Sequence, residues 1–310
     1  DRQSREGVLS KFLWVVLTGW IVVCSPAVAQ TDSPAGRNPA AADAGDQPMD
    51  PRLASRAKSL DLRSSSVLVV DQTDNRTLYA KNVRAVVPIA SITKLMTAMV
   101  LLDARPALKD RITISTADID DIKGTRSRLK VGTTLTRDDL LRIALMASEN
   151  RAAAALSRAY PGGTPAFVAA MNQKALELGM WHTRFVDATG LSSDNVSSAQ
   201  DLAKMVSAAY RYPLVREYTT DTAYAVGLAN GRPLQYRNSN GLVKNPSWRI
   251  GLSKTGYISE AGRCLVMQTV IGSTPMVIVL LDSWGKYSRI GDANRIKKWI
   301  ESNGLLQPAG

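Results

Sequence analysis

Histidine occurs once in the 310 residues, as His182, and cysteine twice, as Cys24 and Cys264. A single imidazole argues against a histidine-ligated metal centre and against a Ser-His-Asp triad, both of which need that ring in a fixed place. His182 reads as a surface loop residue. No metal and no cofactor is expected. Lys and Arg number 39 against 27 Asp and Glu, a net charge of +12. There is, however, no zinc-finger spacing, no RNA-binding signature and no dense Lys/Arg tract. The charge therefore reads as suited to polyanionic surroundings, with no nucleic-acid partner. No internal repeat is visible.

Long apolar runs are missing too. The one at the N-terminus, "FLWVVLTGWIVVC" (12–24), is short for a membrane-spanning helix. Arg2, Arg5 and Lys11 precede it and Ala27-Val28-Ala29 follows, the pattern of an export signal (1–29) cleaved after Ala29. Cleavage removes those three basic residues with Asp1 and Glu6, which lowers the net charge by one to +11. It also removes Cys24, so Cys264 has no partner for an intramolecular disulfide, and no stable membrane anchor remains. "QTDSPAGRNPAAADAGDQPMD" (30–50) has almost no large apolar side chain and reads as the body of a flexible linker over 30–58.

Periodic segments begin after it. "SSVLVVDQTDNRTLYAKN" (65–82) reads as two strands around an Asp-Asn turn. A helical block follows. "ASITKLMTAMVLLDAR" (90–105) shows an apolar face of Ile92, Leu95, Met96, Met99 and Val100. "TRDDLLRIALMA" (136–147) has Thr136 as N-cap and Asp139 at N3. "TPAFVAAMNQKALELG" (164–179) has Thr164 as N-cap, Pro165 at N1 and Gly179 at C′. "SAQDLAKMVSAAYRY" (198–212) reads as a helix ended by Pro213. Period-2 patterns return in "WRIGLSKTGYI", "GRCLVMQTVIG" and "MVIVLLDS", and "DANRIKKWIESNG" (292–304) closes as a helix. The order implies an α+β domain over 59–303. A sheet lobe (59–88 and 215–303) would carry an inserted helical lobe (89–214), with a cleft between them and a short tail at 304–310.

Ser-x-x-Lys occurs four times: Ser55/Lys58, Ser91/Lys94, Ser127/Lys130 and Ser283/Lys286. Only Ser91/Lys94 lies at the start of a strongly apolar helix, where i and i+3 share a face. A desolvated lysine there can be neutral and take the serine's proton. Ser-x-Asn occurs as Ser148-Glu149-Asn150, a polar break between two Ala/Leu-rich helices, and as Ser193-Asp194-Asn195 in what reads as a solvated loop. In the first, Ser148 can relay a proton and the Asn150 amide can hold a carbonyl. Lys254-Thr255-Gly256 lies on a predicted strand. Its lysine offers charge to a carboxylate, its glycine allows close approach, and its edge offers backbone pairing to an extended peptide.

These three motifs in this order resemble the penicillin-binding protein and serine β-lactamase superfamily. "SITKLMTAMVLLDAR", "LMASENRAAAAL", "YPGG", "HTRFVDATGLSSDNVSSAQDLAK" and "LSKTGYISEAGRCLVM" narrow the resemblance, over roughly residues 60–300, to the low-molecular-mass D-alanyl-D-alanine peptidases and their endopeptidase branch. The resemblance implies a β-lactamase/transpeptidase-like fold, with a five-stranded antiparallel sheet, flanking helices and an all-helical lobe. It implies Ser91 as nucleophile, Lys94 as general base and Ser148 as proton relay. Asn150, Lys254, Thr255 and Gly256 would bind substrate, and the Tyr257 backbone N–H would complete an oxyanion hole. The implied function is periplasmic hydrolysis of D-alanyl crosslinks in peptidoglycan, with β-lactams as covalent inhibitors. A D-Ala-D-Ala carboxypeptidase is the alternative, and the chain's end at Gly310, without the larger carboxypeptidases' C-terminal domain, weighs against it. Class A β-lactamases use a Glu after Ser-x-Asn to release their acyl group. No Glu occurs between Glu177 and Glu217, so slow release of β-lactams is expected. A non-catalytic wall binder is the remaining reading, and the intact motifs oppose it.

Overall fold

The apolar run of Ser64–Asp71 (β1) is buried at every position but Ser65, too continuous for a strand with one wet face. The computed structural model shows why. β1 pairs with Thr77–Lys81 (β2) on one side and with Thr274–Ser283 on the other, and the sheet is covered on both faces. Residues 60–228 and 231–305 are described, together with Met49, Leu53, Ser55 and Ala57. They belong to the compact unit Ala40–Gly310. The expected leader 1–29, most of the expected linker, Lys58 and residues 306–310 lie outside the described residues. Among the described residues no helix is long and apolar enough to cross a membrane.

Between β2 and the next strand of the main sheet come six helices: Thr93–Asp103 (α1), Arg137–Met146 (α2), Asn150–Arg158 (α3), Gly163–Glu177 (α4), Ala199–Ala209 (α5) and Pro213–Thr220 (α6). Arg249–Ile258 (β3), Gly262–Ile271 (β4), Thr274–Ser283 (β5) and Ser288–Ser302 (α7) complete the order. The sheet runs β2-β1-β5-β4-β3 with every neighbour antiparallel. The first and last strands therefore share one sheet across the helical insertion, as the segment order predicted. Alternation divides the strand side chains between two cores. Leu68, Val70, Val266, Val277 and Val279 face the helical side. Val67, Val69, Leu265, Met267 and Ile278 face Ile296, Trp299 and Ile300 of α7.

α1 is more buried than its apolar face predicted. Nine of its eleven residues are inaccessible, so it is a core helix with no polar side on which Lys94 could rest. Thr136 and Asp139 form the expected capping box of α2. Three boundaries differ from expectation. α4 starts at Gly163, with Gly162 as its N-cap at φ +82°, because the two glycines of "YPGG" take the turn that Thr164 was expected to terminate. α5 ends at Ala209, and Pro213 opens α6 at its first position, where a missing N–H is harmless. α7 begins at Ser288, four residues before Asp292. The Asp292 carboxylate is buried and accepts from Arg63 N (3.0 Å), Ser64 N (2.8 Å) and Ser64 Oγ (2.6 Å), which fastens the helix to β1. Leu53 and Ala57, within the expected linker, are helical and buried against the outer core, since i and i+4 share one helix face.

Candidate active site

Ser91 stands in the 3-10 turn Ala90–Ile92 that leads into α1. Ala90 before it has φ +48°, a strained value for a residue with a Cβ. The turn is pressed from two sides by glycines. A Cβ on Gly190 would lie 2.0 Å from the Ala90 carbonyl oxygen, and one on Gly256 would lie 2.8 Å from Ile89 O and 3.2 Å from Ser91 N. The backbone of β3, the edge strand of the sheet, thus runs directly against the serine's own amide, and Tyr257 follows on the same edge.

One helical turn on, Lys94 Nζ donates to Ser91 Oγ (2.8 Å), Asn150 Oδ1 (2.7 Å) and the Thr189 carbonyl (2.6 Å). Lys94 is 1% exposed, and no carboxylate among the described residues lies within ion-pair distance of it. Burial pushes its pKa down from 10.5 to about 7, against the partial opposition of Asp187, Glu149 and Asp120. A shift of that size costs on the order of 5 kcal/mol when the lysine is charged. The fully buried Leu95, Met96 and Met99 beside it contribute about 1.5–3 kcal/mol each. The helix can therefore carry a lysine poised to lose its proton near neutrality.

Ser148 is the middle of the three residues between α2 and α3, at φ +63°. That conformation breaks the helix and turns the hydroxyl to Lys254, whose Nζ donates to Ser148 Oγ at 2.9 Å and to Thr255 O at 3.0 Å. Burial, then Lys94, then Arg289 hold Lys254 well below the ordinary lysine value. The Lys94 charge thus adds to burial in disfavouring the charge of Lys254. Asn150 opens α3 and also donates from Nδ2 to Thr125 Oγ1 (3.0 Å). Thr255 Oγ1 donates to Ser239 Oγ at 2.7 Å. Ser91, Lys94, Ser148, Asn150, Lys254, Thr255 and Gly256 are thereby brought together from the turn before α1, α1 itself, the α2–α3 connection, α3 and β3. The arrangement can remove a proton from a serine, present that serine beside backbone amides, and return a proton from a second hydroxyl.

The family model of peptidase S11, described as D-alanyl-D-alanine carboxypeptidase, matches residues 53–285. The chain belongs to this family. Among curated S11 relatives, a D-alanyl-D-alanine endopeptidase of Pseudomonas aeruginosa is 47% identical over 243 residues, 78% of each chain. One of Escherichia coli K12 is 44% identical over 254 residues, 82% of each chain. Among solved structures, the Streptomyces K15 DD-transpeptidase superposes with a TM-score of 0.72 at 27% identity, covering 78% of this chain and 98% of that one.

The cluster also contains groups that the motifs did not reveal. Thr189 enters through its carbonyl, which has no residue-type signature. It is held by Asp187, whose carboxylate accepts from Thr189 N (2.5 Å), Thr189 Oγ1 (2.6 Å), Gly190 N (2.7 Å) and Ser192 N (3.0 Å). The segment expected to be a solvated loop is corrected here, because Asn195 is fully buried. Its Oδ1 accepts from Val186 N (2.6 Å) and its Nδ2 donates to Thr93 Oγ1 (3.3 Å), bracing the Thr189 loop against α1. The density of Asp, Asn, Ser and Gly in "DATGLSSDN" was the available signal for a hydrogen-bonded turn. Ser239 and Arg289, which donates to Gly256 O at 2.9 Å, also went unmarked. Of the other Ser-x-x-Lys pairs, Ser283 is buried against Ser64, Ser127 Oγ accepts from Leu129 N (3.0 Å), and Ser55 is exposed. His182 has a half-exposed side chain, as expected of a loop residue.

Proposed function

We propose that this chain is an exported serine peptidase that hydrolyses D-alanyl bonds in the peptide crosslinks of peptidoglycan through an acyl-enzyme. The observation that carries the reading is the 2.8 Å contact between Ser91 Oγ and a buried Lys94 whose pKa lies at about 7. Neutral Lys94 takes the Ser91 proton, and Oγ attacks the D-alanyl carbonyl. The oxyanion is met by the N–H groups of Ser91 and Tyr257. Ser148, bonded to Lys254, passes a proton to the leaving amine. Asn150, Lys254, Thr255 and Gly256 hold the peptide along β3, whose outer edge has no strand partner among the described residues. Water then releases the acyl group.

β-Lactams acylate the same serine in this reading and leave slowly. Asp187 is the acidic residue of its loop whose charge bears on Lys94, and the backbone of that loop already occupies its oxygens. The names of the two bacterial relatives favour crosslink cleavage, and the N-terminal leader pattern favours periplasmic export. The second reading, a carboxypeptidase that trims terminal D-Ala, is favoured by the description of the family model.

The test is to incubate the mature protein with crosslinked muropeptide dimers and, separately, with monomeric pentapeptides, and to follow both by chromatography. Conversion of dimers to monomers with little free D-Ala is expected. Rapid release of D-Ala from pentapeptide with dimers intact makes the chain a carboxypeptidase instead. Penicillin that leaves no covalent mass on Ser91 refutes both.

A further inference from the structure

A cavity of about 570 Å³ opens at Ser148 and Asn150 and continues between Arg126, Arg128, Tyr236 and Arg237. The three arginines are exposed, and none of them has a carboxylate within 4.0 Å among the described residues. Arg128 lies over the Tyr236 ring at 5.2 Å and gives one N–H to the Gln235 carbonyl, which fixes its guanidinium and leaves further donors free. Tyr236 is 3% exposed, and its hydroxyl lies against Glu149. Glu149 is the one carboxylate in the lining, and it is buried at the N-terminus of α3.

We infer that this cavity receives the leaving arm of a branched peptide substrate, with Arg126, Arg128 and Arg237 pairing with that arm's carboxylates. The inference rests on the proposed crosslink cleavage and deepens it. Three observations carry it. Ser148 is the group that protonates the leaving amine, so the space next to Ser148 is where the leaving segment must lie. The volume falls within the roughly 300–1,000 Å³ of pockets that enclose whole small ligands, well beyond the needs of a single alanine. The lining offers three exposed guanidinium groups against one carboxylate, which is itself buried beside Tyr236, so the cavity selects an anionic guest. A free D-Ala leaving group gains little from these arginines, whereas a second peptide stem reaches them.

The experiment replaces all three, Arg126→Gln, Arg128→Gln and Arg237→Gln, and compares kcat/KM for crosslinked muropeptide dimers with kcat/KM for monomeric pentapeptide. Exposed ion pairs change binding by ~1.5- to 5-fold each. The dimer-to-pentapeptide ratio is therefore expected to fall about tenfold, through KM for the dimer. In the unsubstituted protein the ratio also falls as salt rises, and in the triple variant it no longer responds. An unchanged ratio, or an equal fall for both substrates, overturns the inference while leaving crosslink cleavage intact. An unsubstituted protein that is acylated by penicillin but never cuts dimers refutes the proposed function, and the inference with it.

Discussion

Lys94 is expected to make the protein less stable at neutral pH than at pH 9, and Lys94→Met is expected to flatten that dependence. The folded pKa of about 7 lies below the ordinary 10.5. Between those values the unfolded chain holds a proton that the folded protein has lost, so stability rises with pH across the window. Below about pH 7 both states are protonated and the full penalty of the buried charge is present. Each pH unit inside the window contributes ~1.4 kcal/mol, less near the folded pKa where the lysine is half protonated. From pH 7 to pH 9 the gain is about 2 kcal/mol. Methionine keeps most of the stem's volume and has no proton to release. It also leaves Asn150 Oδ1 and the Thr189 carbonyl without their donor, a pH-independent cost of ~1–3 kcal/mol for each group left unsatisfied. The slope with pH, not the absolute stability, therefore carries the test. Lys254 leaves a residual slope in the variant, because burial is the first cause of its lowered pKa and the substitution relaxes only the second. Urea unfolding of both proteins between pH 6 and 9 gives the two curves. Acylation of the unsubstituted protein by penicillin should rise over the same range and level off above about pH 7. Parallel stability curves, or acylation that keeps rising toward pH 10, refute a neutral Lys94.

Further substitutions divide the site. Ser91→Ala should leave no penicillin adduct by mass spectrometry, and an adduct on Ser127 or Ser283 would mean that another Ser-x-x-Lys pair is the nucleophile. Ser148→Ala should slow acylation about 10²-fold, the low end for loss of a positioned proton-transfer group. Ser193→Ala should leave it unchanged, and stopped-flow acylation kinetics with the reverse ranking would refute the Ser148 assignment. Gly190→Ala should cost at least ~2 kcal/mol, since φ is +79° and the new Cβ meets the Ala90 carbonyl at 2.0 Å. It should slow acylation as well, because Ala90 leads directly into Ser91. Thermal unfolding and acylation rates that both match the unsubstituted protein exclude that contact as a constraint on the nucleophile.

What the residues revealed before the structure follows a physical line. Strands were legible where short apolar runs rich in Val, Ile and Leu are buried on both faces, as in Ser64–Asp71 and Gly262–Ile271. Helix ends were legible where a side chain makes the cap, as at Thr136, and displaced where backbone conformation makes it, as at Gly162. The same division runs through the site. Ser91, Lys94, Ser148 and Lys254 meet through side chains, and their types and order announced them. The Thr189 carbonyl acts through the main chain, which every residue possesses, so composition could not single it out. Asn195 was misread because a polar stretch looks the same whether its groups face water or one another.

The two positive-φ residues at the site tie these observations to the chemistry. Ala90 at +48° and Ser148 at +63° each adopt a backbone conformation that costs on the order of 1–3 kcal/mol for a residue with a Cβ. One precedes the serine bonded to Lys94, and the other is the serine bonded to Lys254. A regular helix through Ser148 would remove the break that separates α2 from α3 and turns its hydroxyl to Lys254. A relaxed Ala90 would alter the approach of β3 to the Ser91 amide, which Gly256 allows to within van der Waals contact. The surrounding core maintains both strained turns, with α1, α2 and α3 sharing one apolar cluster with β1 and β4. Packing energy far larger than the strain thus holds two hydroxyls against two lysines whose charges burial has weakened. The core helix thus supplies the dryness that lowers the Lys94 pKa, and the bent turns at Ala90 and Ser148 place the two hydroxyls.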